Sequence, residues 1–187
     1  MSPITHLLIG WSAGNAVGLR GRDLALVTWA GVLPDLDGAG ALLDILFQAA
    51  GQETQFYAMY HRYLLHGLFG ALAIAGILCR YAVSPRRVFW LALLTIHLHF
   101  LGDLLGSRGA DPAEIWPIFY LEPVSSALRL SWSGQWPLNA WPNIVLTLGL
   151  LLWGLWLGIR DGHTPLGVIS ARADRAVVAA LRARFGR

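Results

Sequence analysis

The chain has 187 residues, of which 56% are hydrophobic and only 13% charged, with a mean hydropathy of +0.53. That length fits one domain, and that balance is too apolar for an ordinary soluble one. The formal charge is +3, but the arginines lie in short clusters between long apolar runs rather than in an arm or groove, which argues against nucleic-acid binding.

Every basic residue is Arg, which stays charged wherever it sits and so marks the ends of membrane segments. The single cysteine, Cys79, excludes an intramolecular disulfide and any CxxC metal site, leaving His and carboxylates for metal chemistry. The N-terminal stretch is apolar without a positive region before it, so a cleaved signal peptide is not expected.

In chain order, Ile4 to Gly18 and Leu24 to Leu33 read as two short helices joined by a tight turn at Arg20, Gly21, Arg22 and Asp23. Gly38 to Ala50 is too short to span and reads as an interfacial or half-inserted helix. Tyr63 to Ala82 and Val88 to Leu105 are long enough to cross, and Ile144 to Ile159 is an uncharged span closed by Arg160 and Asp161. Between them, Gly106 to Asn143 carries Pro, Gly, Ser and four Trp residues, the mixture of a lid or rim at a membrane interface. The Arg-rich tail suits an amphipathic helix on an anionic membrane surface. The expected fold is all-α: a polytopic transmembrane bundle of about five membrane helices plus an interfacial C-terminal helix. The bundle covers residues 1–160, including the Trp-rich outer loop 106–143, and a cytoplasmic amphipathic tail covers 161–187.

Placing the tail in the cytoplasm and threading five helices backwards puts 11 of the 14 arginines inside, as the positive-inside rule requires. Arg62, Arg108 and Arg129 fall outside. In that threading His6, Asp35, Asp37, His61, His66, His99 and Asp103 all fall toward the outer ends of their helices. His6, Asp35, His66 and His99 stand 12 to 14 residues from Arg20, Arg22, Arg80 and Arg87 respectively, so all lie at one depth. At 1.5 Å of rise per residue that depth is about 18 to 21 Å from the inner Arg layer. Ionisable groups there are costly unless they are paired, bound to metal or facing a wet cavity.

The spacing permits specific chemistry. His99 and Asp103, four apart on one helix, can grip a cation together. Asp35 and Asp37 follow Pro34, where a helix ends and carboxylates can turn inward. Imidazole with carboxylate and no thiolate suits zinc, with manganese or iron as alternatives, and seven candidate ligands allow one or two ions. Arg62 beside His61 is placed to hold a phosphate oxygen, and His61, Arg62 and Asp37 form the expected catalytic group. Read conservatively, His97 is a helix-to-helix hydrogen bonder, Asp44 and Asp111 are solvated or capping, His163 is a loop residue, and the Trp cluster is an aromatic belt.

The pieces Thr5-His6, Pro34-Asp35-Leu36-Asp37, His61-Arg62 with His66, and His99 with Asp103 occur in that order, followed by Gly109 and Trp116-Pro117. Together they resemble the bacterial family of inner-membrane metal-dependent hydrolases, formerly a domain of unknown function. Tyr63, Leu65 and Gly67 depart from that family's pattern around the second His. The stretch His99 to Asp103 also resembles the metal-binding helix of zinc-dependent phospholipase C. The resemblance implies a hydrolase of the bacterial inner membrane acting on a lipid or phosphoester substrate, with its active site toward the periplasm and its C-terminus cytoplasmic. The competing expectations are a transporter or ion carrier using the same cluster, and a non-catalytic membrane protein with a structural metal.

Overall fold

The computed structural model describes residues 1–61 and 63–186, so Arg62 and Arg187 lie outside the described residues. The chain forms α1 (Pro3–Ala16), α2 (Gly21–Ala30), a 3-10 turn (Leu33–Ala39), α3 (Gly40–Ala49), α4 (Phe56–Tyr60), α5 (Leu68–Cys79) and α6 (Pro85–Gly106). After these come the two-residue strands β1 (Ile118–Phe119) and β2 (Arg129–Leu130), then α7 (Trp141–Asp161), a 3-10 turn (Pro165–Val168) and α8 (Ala171–Phe185).

Local chemistry sets these boundaries. Ser2 caps α1 by accepting the Thr5 amide, with Pro3 in the first turn where a missing N–H costs nothing. Gly18 and Gly21, at φ +77° and +55°, make the left-handed turn into α2. Asp23 then accepts the amides of Val83 and Ser84 and pins this turn to the one between α5 and α6. Asp174, buried, accepts the amide and hydroxyl of Thr164, which folds α8 back against α7.

The helices α1, α2, α5, α6 and α7 alternate in direction. One end of the bundle gathers the α1–α2, α5–α6 and α7–α8 turns: Arg87 donates to the Val17 carbonyl, Arg22 to that of Tyr81, and His163 contacts Asn15. The interior is filled by Trp11, Val27, Ala30, Ala71, Ala92, Ile96 and Leu157, all fully buried. The residue Gly31 allows the closest approach between α1 and α2, since a Cβ there would lie 2.6 Å from the His6 carbonyl oxygen.

The chain is all-α apart from the β1–β2 pair, which joins Ile118 to Leu130 and Phe119 to Arg129 within the Trp-rich segment. Among the described residues two helices, α6 and α7, are long and apolar enough to cross a membrane, with 22 and 21 residues. The helix α5, at 12 residues, is shorter than the sequence suggests, whereas α2 keeps its expected length and is displaced toward the N-terminus. Tyr63 to Ala82 was expected as one span, yet α5 begins at Leu68, because the Leu65 amide is taken by Asp37 and the chain bends to place His66. The helix α2 stops at Ala30 and gives way to the 3-10 turn that carries Asp35 and Asp37. The expected interfacial segment forms α3, whose Leu42, Leu43, Ile45, Leu46 and Phe47 are exposed.

Candidate metal centre

At the end of the bundle opposite those turns, three segments deliver four polar side chains to one point. His99 and Asp103 come from the last turns of α6, one helical repeat apart, and their Nε2 and Oδ2 atoms lie 3.4 Å apart. Asp35 comes from the 3-10 turn, and its Oδ1 lies 3.6 Å from His99 Nε2 and 3.7 Å from His66 Nε2. His66, immediately before α5, places its Nε2 3.0 Å from that of His99 and 3.5 Å from Asp103 Oδ2. One donor atom from each of the four residues lies within 4.8 Å of the others.

Those spacings have a chemical meaning. Ligand bonds of about 2.0 to 2.1 Å in a tetrahedron give edges of about 3.3 to 3.4 Å, and the five separations above fall between 3.0 and 3.7 Å. Protonation points the same way. His99 Nδ1 lies 2.8 Å from the Gly31 carbonyl oxygen, which can only accept, so Nδ1 carries the proton. His66 Nδ1 donates to Asp37 Oδ2 at 3.0 Å. With both Nδ1 atoms committed to these acceptors, the two Nε2 atoms turn toward each other and toward two carboxylate oxygens. A cation bound between these four atoms would satisfy them all, as would a proton shared by the two Nε2 atoms. Among transition-metal sites, this arrangement of imidazole backed by carboxylate or carbonyl is the usual way a ligand's tautomer is fixed.

Asp37 is buried and divides its oxygens, with Oδ1 accepting from His61 Nδ1 at 3.0 Å and Oδ2 from His66 Nδ1 and the Leu65 amide. In a 3-10 helix residues two apart point roughly 120° apart about the axis, so Asp35 and Asp37 straddle the His66 ring, one at each nitrogen. Asp37, His61 and His66 also bring one donor atom each within 4.8 Å, through the two hydrogen bonds just described.

His6 stacks on His99 with ring centroids 3.7 Å apart and donates from Nε2 to Asp103 Oδ1 at 3.2 Å. Its Nδ1 is buried without a partner. Asp103 Oδ1 also receives the Ser107 hydroxyl at 2.7 Å and the Met1 amino group, which leaves Oδ2 for the shared point. Three of the four corners, His66, His99 and Asp103, are buried, while the Asp35 side chain is 22% exposed at the floor of a cleft of about 560 Å³.

All seven residues singled out as ligands thus meet at this end of the bundle. Asp35, His66, His99 and Asp103 supply the four-atom set, Asp37 orients two imidazoles, His6 backs Asp103, and His61 stands at the cleft wall. The expected role of Arg62 lies outside the described residues. His97 faces away, donating from Nδ1 to the Leu93 carbonyl and accepting at Nε2 from the Tyr120 hydroxyl. Asp44 caps α4 by accepting the Phe56 and Tyr57 amides, and His163 sits in the turn at the far end.

Other contributors had little or no signal in the sequence. The Gly31 carbonyl orients His99 with no side chain to announce it. Gln135 is buried and donates to the carbonyls of Asp103 and Leu104 while accepting the Trp116 amide. Ser107 follows Asp103 at helical spacing, the one feature a periodicity argument can find. Trp116, expected in an aromatic belt, instead lies edge-on to His61 at 5.9 Å and lines the cleft.

No curated protein and no solved structure matches the chain. A family model described as YdjM inner membrane protein matches residues 1–165, which takes in every residue of the four-atom set and the two long apolar helices. The chain therefore belongs to the YdjM inner membrane protein family.

Proposed function

We propose that this protein is a membrane-embedded metal-dependent hydrolase that acts on a phosphoester of a lipid or lipid-linked substrate at the outer leaflet. The observation that carries the reading is the pair of Nε2 atoms 3.0 Å apart, flanked by two carboxylate oxygens at 3.4 to 3.7 Å. One ion, most simply zinc, is held by Asp35, His66, His99 and Asp103. His66 commits its Nδ1 proton to Asp37, so a second ion on that nitrogen would displace the bond that orients the ring. Such an ion supplies Lewis acidity toward the phosphoryl group.

The chain's own residues supply the rest. Asp37 holds the His61 ring through Nδ1, leaving Nε2 to give or take a proton at the cleft, and His61 is the acid–base group. Asp35 is the partly exposed corner, where an incoming ligand would displace the carboxylate or add to the set and so give the ion the open position that catalysis requires. Against a carrier, the interior of the bundle is filled by buried apolar side chains, among them Val27, Ala30, Ala92 and Ile96. In this reading five helices cross the bilayer, the short α1, α2 and α5 completed by the irregular segments that hold the site. Irregular backbone at that depth is tolerated where it is buried in protein or lines a cavity. The Arg-rich end with α8 then faces the cytoplasm, and the site faces the periplasm.

The test is metal analysis by mass spectrometry of detergent-purified protein alongside headgroup release from short-chain phospholipids. About one ion per chain, lost in His99→Ala together with hydrolysis, is the expected result. Metal retained in His99→Ala removes the site, and stoichiometric metal without hydrolysis of any phosphoester favours the structural reading.

A further inference from the structure

Two clefts meet at the mouth of the centre. The first, about 560 Å³, contains Asp35, Asp103, His61 and Arg108; the second, about 380 Å³, is walled by Tyr63, Phe119 and Trp116 and contains Arg129. Tyr57, His61 and Trp116 form the partition, since they line both.

Each cleft holds one arginine, and these are the two described arginines that the positive-inside pattern leaves on the site's side of the bundle. Neither makes an ion pair among the described residues. The backbone of Arg108 is fixed on both faces, its amide donating to the Trp136 carbonyl and its carbonyl accepting from the Leu138 amide. Its Nε is buried with no acceptor among the described residues. A guanidinium on a fixed backbone with a buried, unanswered N–H carries a desolvation cost that an incoming anion would offset, and its fork matches phosphate oxygens. Arg129 projects from β2, with its guanidinium carbon 5.9 Å from the centre of the Phe119 ring, so aromatic surface rather than carboxylate surrounds its charge. Among the described residues the only acidic groups lining the first cleft are Asp35 and Asp103, both directed at the metal set, and none lines the second.

We propose that the ligand of this centre carries two anionic groups: a phosphoryl group held between the metal set and Arg108, and a second anion held by Arg129 in the aromatic cleft, with the link between them crossing the His61–Trp116 partition. This rests on the phosphoester reading above and narrows it to lipids whose headgroup bears a further phosphate or carboxylate.

The experiment compares dihexanoyl phosphatidylglycerol with the same lipid phosphorylated on its terminal hydroxyl, using the full chain in detergent. Binding is read by thermophoresis and hydrolysis separately by headgroup release. The doubly anionic lipid is expected to bind about tenfold more tightly, and Arg129→Gln to bring the two lipids to equal affinity. Arg172→Gln, on the exposed face of α8 at the far end, is expected to preserve the preference, which separates a placed charge from general attraction. If Arg108→Gln does not fold, the Arg129 comparison still decides. Binding preference without hydrolysis would sink the hydrolase and keep this inference. Equal affinities in the unaltered protein, or a preference that survives Arg129→Gln, would overturn it.

Discussion

His66 and Asp37 are joined at 3.0 Å through the ring nitrogen that does not face the four-atom set, so a carboxylate outside that set decides which nitrogen of His66 can bind. The same carboxylate holds His61 from its other oxygen.

The substitution Asp37→Asn should therefore injure two functions while removing no ligand. An amide can present its oxygen to only one of the two rings, and its NH₂ repels the N–H of the other. Metal affinity is expected to fall by about 10- to 100-fold, the usual cost of losing an orienting partner. Competition against a chromogenic chelator measures it, and an unchanged affinity would show that the ring needs no such support.

Gln135 closes the last turn of α6, where the carbonyls of Asp103 and Leu104 lack helical partners. Gln135→Leu would leave them, and the Trp116 amide, buried and unanswered. A loss of about 1 to 3 kcal/mol of stability is expected, read as a lowered thermal midpoint in detergent. A midpoint unchanged from the parent would mean that solvent replaces the amide.

Acid should loosen the α3–α4 connection before the bundle. Burial works against ionisation of Asp44, but the Tyr57 amide, the Thr54 hydroxyl and the Phe56 amide outweigh it and hold the carboxyl below its ordinary value of 3.8. A depressed folded value stabilises above the unfolded pKa, and that contribution disappears as pH falls through the folded one. Hydrogen exchange at the Phe56 and Tyr57 amides should accelerate at neutral pH in Asp44→Asn, as it does in the parent only below about pH 4. Equal protection in parent and variant at neutral pH would exclude this cap.

The exposed apolar residues of α3 should rest in lipid. Leu42 and Ile45 are each 61% exposed among the described residues. With Cys79 replaced, an environment-sensitive dye at Leu42→Cys should emit as in an apolar medium in vesicles, and shift to the aqueous spectrum in Thr54→Cys. An aqueous spectrum at both positions would place α3 in solvent.

Much of this arrangement was legible beforehand. The depth match between His6, Asp35, His66 and His99 located one end of the bundle, because helical rise converts residue separation into distance along a fixed axis. The His99–Asp103 repeat and the outward-facing His97 followed from helical periodicity alone. Helix lengths did not follow, because hydropathy measures what a residue would like to be near, not whether its backbone is helical. Residues 63 to 67 are apolar enough to belong to a span, yet they bend to bring His66 beneath Asp37. The division of Asp37 from Asp35 was equally hidden, since which carboxylate meets which nitrogen depends on the 3-10 twist rather than on composition. The amide plug at Gln135 and the carbonyl at Gly31 leave no trace in a single sequence.

The donors at positions 35, 66, 99 and 103 reach their meeting point from three stretches of chain that leave the ribosome well apart. A half-inserted protein would own one or two of them and bind no ion worth the name. Metal occupancy would then act as a certificate of completed assembly, tying the first moment of competence to the arrival of α6.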